Sequence, residues 1–287
     1  MIFIRLAGGL GNQLFQLTAA LYLQSKTNMP ICFFTKHLKN YTTPREFMLQ
    51  EILPKNFQLQ FLMPNWFIQF ILKYRINKCL PILYKWSITS KNITSIKPSE
   101  FYVIDDYFQD ISIFKNEVNI VANYIKQAAN NNKKVTDIYN SKNQFKNVFA
   151  FHMRRGDFLN KANANIFYSQ KSSYYKSAIN TLSNIKQGYL FSETIIDDLS
   201  SITHLPVKTF ETNGLSDTEL FLLMSKFPNL VIANSTFSFW AAVASKNASN
   251  GANQIIAPKD WYYEEQQNNI WLNNLSLLRF TVLMENS

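Results

Sequence analysis

The sequence turns from apolar to strongly basic within one segment, Val148-Phe149-Ala150-Phe151-His152-Met153-Arg154-Arg155-Gly156-Asp157. The apolar part predicts a buried strand that ends in a turn. A guanidinium offers a planar fork of donors that matches two phosphate oxygens and keeps its charge. In α/β proteins, a loop that follows a strand commonly holds a phosphorylated ligand. The segment therefore predicts a phosphate site, and the alternative is a surface ion pair between arginine and aspartate at a strand end.

Strands and helices are predicted to alternate through the second half of the chain. Predicted strands cover 148–153, 189–191, 207–210, 230–233 and, as the last strand, 254–257. Predicted helices cover 173–185, 195–202, 217–227 after Ser216, and 236–245 after Ser235. Such alternation predicts a parallel sheet with helices on both faces. Ligands of these folds bind at the carboxyl ends of the strands, where the two arginines and Ser235 fall.

The first half opens with the pattern of a βαβ unit. A strand at 2–7 leads into the loop Gly8-Gly9-Leu10-Gly11-Asn12-Gln13, then a helix at 14–25 and a strand at 30–34. The loop lacks the lysine and hydroxyl of a Walker sequence and the spacing of a dinucleotide fingerprint. It is either a tight turn or a loop in which the Asn12 and Gln13 amides reach a ligand. The polar segment 140–147 then separates two predicted domains, 1–145 and 146–287.

Composition narrows the class of protein. The chain has 287 residues, 47% of them apolar, and a net charge of +10, which favours an anionic partner. Its two cysteines, Cys32 and Cys79, predict neither a disulfide framework nor a zinc site, and favour a reducing compartment. No signal peptide and no run of about 18 apolar residues is apparent, so a cytoplasmic location is expected.

The segment 52–99 contains no acid but seven lysines and arginines, interleaved with tryptophan, tyrosine and phenylalanine. This mixture suits a peripheral contact with an anionic membrane, such as the inner face of the plasma membrane. The favoured alternative is a helical insertion that packs on the core and exposes a basic face. Single-stranded nucleic acid would attract the same residues, but no recognition motif supports a nucleic-acid partner.

Two further motifs lie at predicted strand exits. In Ala233-Asn234-Ser235-Thr236-Phe237-Ser238-Phe239-Trp240 a helix begins on hydroxyl residues, so its amides and dipole could bind an anion. Taken alone, Ser235 could simply cap the helix. Together with the arginines, the motif favours a clamp for a pyrophosphate. The second motif, Ala257-Pro258-Lys259-Asp260-Trp261-Tyr262, either lines a cleft or caps the sheet.

The glycine loop with its continuation Leu14-Phe15-Gln16, the arginine motif, the Asn234 motif and the Ala257 motif resemble, in this order, the α-1,2-fucosyltransferase family. The arginine motif also resembles α-1,6- and protein O-fucosyltransferases, whereas its combination with the glycine loop is typical of the α-1,2 group. The similarity spans nearly the whole chain.

The resemblance implies an α/β protein of GT-B architecture, with two Rossmann-like domains that face each other across a cleft. The N-terminal domain would bind the acceptor and the C-terminal domain GDP-fucose; whether the last helix returns to the N-terminal domain is left open. The implied reaction is inverting and needs no metal or other cofactor. It would move L-fucose from GDP-β-L-fucose to the 2-hydroxyl of a terminal galactose in a surface glycan such as O-antigen. The alternatives are another nucleotide-sugar donor and, from the charge alone, a nucleic-acid-binding protein.

The resemblance also implies roles for individual residues. Arg154 would bind the β-phosphate and stabilise the departing GDP, and Asn12 would face fucose and acceptor. Asp157 would orient an arginine and is, by its chemistry, a candidate base. Contacts to the donor are expected from Gly9, Gly11, His152, Arg155, Glu193, Asn234, Ser235, Thr236 and Phe237. Glu193 and Phe239 depart from the family pattern, which carries Asp for a guanine contact at the first position and often Trp at the second.

Overall fold

The computed structural model describes residues 1–35, 38, 45–57, 70, 73–74, 87–96, 98–141, 147–154, 165–192, 199–209, 214–248 and 253–283. The chain divides into two compact units, Met1–Val121 and Ala122–Ser287. Each unit contains one sheet whose paired strands are all parallel. The predicted α/β class is therefore confirmed.

The first unit contains a four-stranded sheet in the order β2-β1-β4-β3. Its strands are β1 (Ile2–Arg5), β2 (Ile31–Phe34), β3 (Ser87–Ile88) and β4 (Tyr102–Ile104). The predicted βαβ opening is confirmed, because helix α1 (Leu10–Thr27) connects the parallel pair β1 and β2. Short 3₁₀ turns lie at Leu49–Glu51, Ile93–Ser95 and Ile111–Ile113. β4 pairs with β1 on the side away from β2, which brings two strand exits side by side.

The second unit contains a six-stranded sheet in the order β10-β9-β8-β5-β6-β7. Its strands are β5 (Val148–Met153), β6 (Gln187–Ser192), β7 (Val207–Thr209), β8 (Leu230–Val231), β9 (Ile255–Pro258) and β10 (Thr281–Leu283). The helices that follow α1 in the chain are α2 (Lys115–Asn131), α3 (Lys133–Ser141), α4 (Ser172–Thr181), α5 (Asp217–Met224), α6 (Thr236–Ala248) and α7 (Glu265–Leu277). Helix α5 begins after Ser216, as predicted, and Glu219 completes a capping box there.

Of the predicted helix 195–202, only residues 199–202 lie within the described part of the chain. They form a turn in which the amides of Ile202 and Thr203 donate to the carbonyl of Leu199, and Ile202 is buried. Another sequence prediction for this unit is wrong. The strand at 254–257 is not the last, because β10 pairs with β9 beyond α7. Helix α7 lies in the second unit, where Trp271 stacks on Trp261 with ring centroids 4.0 Å apart.

The division between units falls inside α2, earlier than the boundary predicted at 145/146. Helix α3 packs on α5, and the ammonium of Lys134 lies 3.1 Å from the carboxylate of Glu219. The polar segment 140–147 thus runs, in sequence, between two elements of the same unit. Most of the basic and aromatic segment 52–99 lies outside the described residues. Within the part of the chain that is described, no helix has the length and hydropathy of a membrane span.

The core of the second unit is dominated by aromatic side chains around the strand that leads to the arginines. Phe149 and Phe151 of β5 are fully buried, and Phe151 packs near Tyr175 of α4. Phe239 is also fully buried and meets the rings of Trp261 and Trp271 edge-on. The departure from the family pattern at Phe239 is therefore a matter of packing. This rigid support fixes the strand ends that carry the site.

Candidate active site

The arginine motif and the Asn234 motif meet in the second unit. Arg154 directly follows β5, and Ser235 directly precedes α6. Because β5 and β8 are neighbours in the sheet, both residues emerge at the same carboxyl edge. Nη1 of Arg154 donates a hydrogen bond of 3.2 Å to Oγ of Ser235. The predicted convergence of a guanidinium and a hydroxyl at the start of a helix is present.

Local hydrogen bonds hold the backbone at the start of α6. The amide of Ser235 donates to the carbonyl of Ala233 over 2.8 Å, and the hydroxyl of Ser238 donates to the carbonyls of Ala233 and Ser235 over 3.3 Å each. The first turn of α6 carries no acidic residue. The positive end of the helix dipole is therefore not neutralised within its own first turn, and it points toward the edge where Arg154 lies. Thr236 and Phe237 are half-buried at this edge.

His152 lies beneath the arginine as a buried, neutral imidazole. It is 6% exposed, and its ring packs against Phe237 with centroids 5.7 Å apart. Burial, followed by the positive charge of Arg154, lowers the pKa of His152 to about 3. Its Nδ1 has no hydrogen-bond partner among the described residues. A buried nitrogen without a partner is costly, so this atom suits a ligand that supplies one.

The side chain of Asn234 connects two loops at the same edge. Its side-chain amide donates to the carbonyls of Tyr168 and Trp261 over 2.6 and 3.1 Å, which ties two loops together. Those loops also form an isolated antiparallel bridge between Phe167 and Tyr262. Trp261 is buried, whereas Tyr263 is 57% exposed. The Ala257 motif thus caps the sheet through Trp261, and the exposed Tyr263 follows the motif directly.

In the first unit, Asn12 is held at the corresponding strand exit. Gly8 has a φ of +75°, and a Cβ there would lie 2.4 Å from Nδ2 of Asn12, so only glycine fits without movement. The side-chain amide of Gln109 donates to Oδ1 of Asn12 over 3.1 Å. Gln109 follows β4, next to β1 in the sheet. No sequence motif indicates Gln109, since only the strand order reveals that these two loops are neighbours.

The two glutamines of the same motif point inward. Gln13 is fully buried and donates to the carbonyls of Gly8 and Glu46 over 3.2 and 2.7 Å, while its Oε1 accepts from the amide of Met48 over 3.2 Å. Gln16 bonds in the same way to the backbone of Ala7, Arg5 and Asp106. The expectation that the Gln13 amide reaches a ligand is wrong, because both of its polar atoms hold the loop in place.

The other two glycines of the motif, Gly9 and Gly11, have distinct positions. Gly9 is the N-cap of α1 without a side-chain hydrogen bond, and Gly11 is buried in the first turn of that helix. The nearest group to a Cβ placed on Gly9 would be the guanidinium of Arg45, at 4.0 Å. Arg45 is a further residue that no sequence motif indicated. Arg155, Asp157 and Glu193 lie outside the described residues, so their predicted roles stay predictions.

An arginine, a hydroxyl and a helix start at one edge of a parallel sheet form an arrangement that suits an anionic ligand. Residues 1–275 match the model of glycosyl transferase family 11, so the chain belongs to this family of glycosyltransferases, as its resemblance predicted.

Two relatives from Escherichia coli align over nearly their whole length. The O-antigen biosynthesis glycosyltransferase WbnK is 23% identical, with 93% of this chain and 98% of the relative covered. An alpha-1,2-colitosyltransferase is 26% identical, with 93% of this chain and 94% of the relative covered. Among solved structures, fucosyltransferase NodZ from Bradyrhizobium has a TM-score of 0.48 at 14% identity, covering 84% of this chain and 91% of that one. The family match makes the chain a glycosyltransferase, and its two Escherichia coli relatives include an enzyme of O-antigen biosynthesis.

Proposed function

We propose that this glycosyltransferase moves L-fucose from GDP-β-L-fucose to the 2-hydroxyl of a terminal galactose, with inversion at the sugar and without a metal ion. The observation that carries the proposal is the 3.2 Å hydrogen bond between Arg154 and Ser235 at the start of α6. It places a fixed positive charge and a helix dipole at one point of the second sheet. A departing diphosphate needs stabilisation of this kind.

The arginine acts on charge that develops during the reaction. As the glycosidic bond breaks, negative charge grows on the β-phosphate of the leaving GDP. A guanidinium held in place beforehand stabilises this charge more in the transition state than in the bound substrate. Ser235 orients the guanidinium, and the first amides of α6 face the same group. Thr236 and Phe237 supply further contacts to the diphosphate.

His152 serves the nucleotide base without adding charge. A pKa of about 3 keeps the imidazole neutral at physiological pH, so one ring nitrogen accepts a hydrogen bond. Guanine offers N–H donors that match such an acceptor. Glu193 is proposed to bind the guanine amide hydrogens, and Arg155 and Asp157 to complete the arginine motif.

Asn12 is proposed to orient the acceptor hydroxyl. Gln109 occupies its Oδ1, so the remaining hydrogen-bonding capacity of the side chain lies mainly in Nδ2. An amide cannot act as a strong base at neutral pH. The positive charge that develops on fucose makes the hydroxyl's attack less dependent on one, and Asp157 is the carboxylate that could accept the proton.

A second donor is favoured by one observation. The chain is 26% identical to an alpha-1,2-colitosyltransferase over nearly its full length, so a colitosyl donor is the specific alternative to a fucosyl donor. Both alternatives use the same diphosphate site, and they differ in the sugar that the site accepts.

Ligand-induced stabilisation tests the donor. A ligand present at 100 times its Kd stabilises the folded state by about 2.7 kcal/mol. We expect GDP and GDP-fucose to raise Tm, and UDP-galactose to leave it unchanged. GDP-mannose, with the same nucleotide and another sugar, measures how much of the effect comes from fucose. Stabilisation by UDP-sugars alone, or salt-sensitive binding of RNA without any response to GDP, would contradict the proposal.

Product analysis tests the linkage. Incubation of GDP-fucose with galactose-terminated oligosaccharides should give an α-1,2-linked product, identified by NMR of the purified glycan. Activity should persist in EDTA. A different linkage, transfer only from a colitosyl donor, or a loss of activity in EDTA that a divalent ion restores would each remove the corresponding part of the proposal.

A further inference from the structure

The second unit contains a pocket that is separate from the site at Arg154. Its volume is about 210 Å³, and it lies among helices α2, α3 and α6 and the chain between α5 and β8. Pro228 and Asn253 line it, and they precede β8 and β9. Arg154, in contrast, follows β5. The pocket therefore lies toward the amino edge of the sheet, opposite the edge of the candidate active site.

Among the described residues, two lysines and no acidic residue line the pocket. Neither Lys126 nor Lys226 has a carboxylate partner among the described residues. Nζ of Lys226 donates to Oδ1 of Asn130 over 2.7 Å and lies 5.2 Å from the centroid of the Tyr139 ring. Both partners are neutral, so they orient the ammonium without cancelling its charge.

Partial burial of the Lys226 ammonium is unfavourable, because no carboxylate compensates its charge. It lowers the pKa of Lys226, with no carboxylate nearby to raise it again. A counter-ion in the pocket would remove most of that cost. The segments that follow α3 and α6 in the sequence, 142–146 and 249–252, contain no acid either. The charge of this region therefore calls for an anion from outside the chain.

The walls of the pocket are fixed by hydrogen bonds. The hydroxyl of Ser245 donates to the carbonyl of Phe227 over 2.6 Å, and the side-chain amide of Asn253 donates to the hydroxyl of Ser245 over 2.8 Å. The hydroxyl of Ser225 donates to the carbonyl of Leu222 over 2.7 Å. The pocket is thus built from several elements that are tied to one another, with Lys226 held by Asn130 and the exposed Lys126 beside it.

We propose that this pocket binds a phosphate group, held between the ammonium groups of Lys226 and Lys126. Lysine binds phosphate as a compact point charge with three donors. The group could come from free phosphate or from the headgroup of an anionic lipid, since both present the same oxygens. The proposal does not depend on the sugar or the acceptor that the enzyme uses.

The chain offers a matched control for Lys226. Lys246 is also half-buried, donates to a carbonyl oxygen, that of Arg279, over 2.7 Å, and lies 5.4 Å from the ring centroid of Phe280. Burial lowers the pKa of Lys246 as well. It does not line the pocket. Lys226→Met and Lys246→Met therefore remove equivalent lysines, one inside the pocket and one outside.

The first experiment is a titration of the whole protein with inorganic phosphate, followed by amide chemical shifts in NMR. We expect binding in the millimolar range, with shifts at residues 225–227. Lys226→Met should weaken it at least tenfold, and Lys246→Met should change it less than twofold. The same titration of Arg154→Ala should leave the response at 225–227 intact, which separates this pocket from the donor site. Equal phosphate binding by wild type and Lys226→Met, or no shift at 225–227, would overturn the proposal.

A second experiment distinguishes the sources. Co-sedimentation with phosphatidylglycerol vesicles that Lys226→Met weakens at least tenfold, and Lys246→Met does not, identifies a lipid headgroup. Phosphate binding without sedimentation identifies a soluble anion. Sedimentation that is equal in both variants, together with no response to phosphate, rejects the pocket as a phosphate site.

Discussion

The carboxyl edges of the two sheets use the same local plan, a strand, a loop and a helix start, in different ways. At the first edge, Gln13 and Gln16 are buried, and their side-chain amides form hydrogen bonds with the backbone of neighbouring loops. At the second edge, Arg154 is half-buried and its guanidinium meets the hydroxyl of Ser235. Two motifs that look equally polar in sequence thus divide into one that mainly builds a loop and one that presents a charge.

This difference matches the two substrates of the proposed reaction. A diphosphate is recognised by fixed positive charge, because its own charge is retained and increases as the bond breaks. A sugar hydroxyl is neutral, and a well-oriented amide such as that of Asn12 is sufficient to position it. The first edge therefore has to orient a neutral hydroxyl, whereas the second edge has to supply fixed positive charge. Each substitution below should disturb one edge and leave the other intact.

Arg154→Ala should have the largest effect. Loss of a charge that stabilises the leaving group typically costs about 100-fold or more in kcat, roughly 2.7 kcal/mol or more. We expect near-complete loss of transfer with an unchanged Tm, because the side chain is only half-buried. Steady-state kinetics and circular dichroism check both parts.

Arg154→Lys is the control for this prediction, since it keeps the charge and loses the planar fork. It should retain more activity than Arg154→Ala while remaining well below wild type. If Arg154→Ala keeps more than about half of the wild-type rate, Arg154 does not act on the leaving group.

Gly8→Ala should destabilise the first edge by about 2 kcal/mol, because an L-residue is strained at positive φ and its Cβ would meet the Asn12 amide. Gly9→Ala is the matched control. Its Cβ would have no closer neighbour than Arg45 at 4.0 Å, and its φ is −78°, so a change within roughly 0.5 kcal/mol is expected. Urea denaturation measures both free energies of unfolding. Equal effects of the two substitutions would show that the turn at Gly8 tolerates a side chain.

His152, at the second edge, should make the free energy of unfolding depend on pH. Its pKa is about 3 in the folded protein and about 6.5 when unfolded, so below pH 6.5 the unfolded state binds a proton that the folded state does not. Stability from this residue is complete above about pH 6.5 and is lost as pH falls, by about 1.4 kcal/mol per pH unit between roughly pH 6 and pH 4. His152→Gln cannot titrate and should have a shallower dependence, measured by urea denaturation at each pH. Parallel curves for the two proteins would mean that the imidazole is not held neutral.

Much of this architecture can be predicted from the sequence. The apolar run before Arg154 predicts β5 with its observed bounds, and Ser216 predicts the start of α5. These features depend on local periodicity and capping, which neighbouring residues determine. The resemblance to the family likewise depends on short motifs that remain intact.

Other features depend on which strands become neighbours, and local patterns do not contain that information. Gln109 follows a three-residue strand, β4, and reaches Asn12 only because β4 pairs with β1. Gln13 and Asn12 are adjacent and chemically alike, yet one turns inward because residues 46–48 pack over it. The polar segment 140–147 has the composition of a linker, although α3 before it packs on α5.

Gln109→Leu should have the smallest effect. It tests the hydrogen bond from Gln109 to Asn12, which the sequence does not indicate and only the strand order explains. Leucine has a similar size but donates no hydrogen bond, so Asn12 should lose its fixed orientation while Gly8 and the loop remain in place. We expect a fall in kcat of about tenfold or less, comparable to one hydrogen bond of roughly 1 kcal/mol, with an unchanged Kd for GDP. Gln109→Asn, which keeps an amide on a shorter side chain, should restore part of the rate if the bond matters. A lower affinity for GDP in Gln109→Leu, or a rate equal to wild type, would mean that this amide pair does not position the acceptor, and Asn12 would then have to act through Gly8 and its own backbone alone.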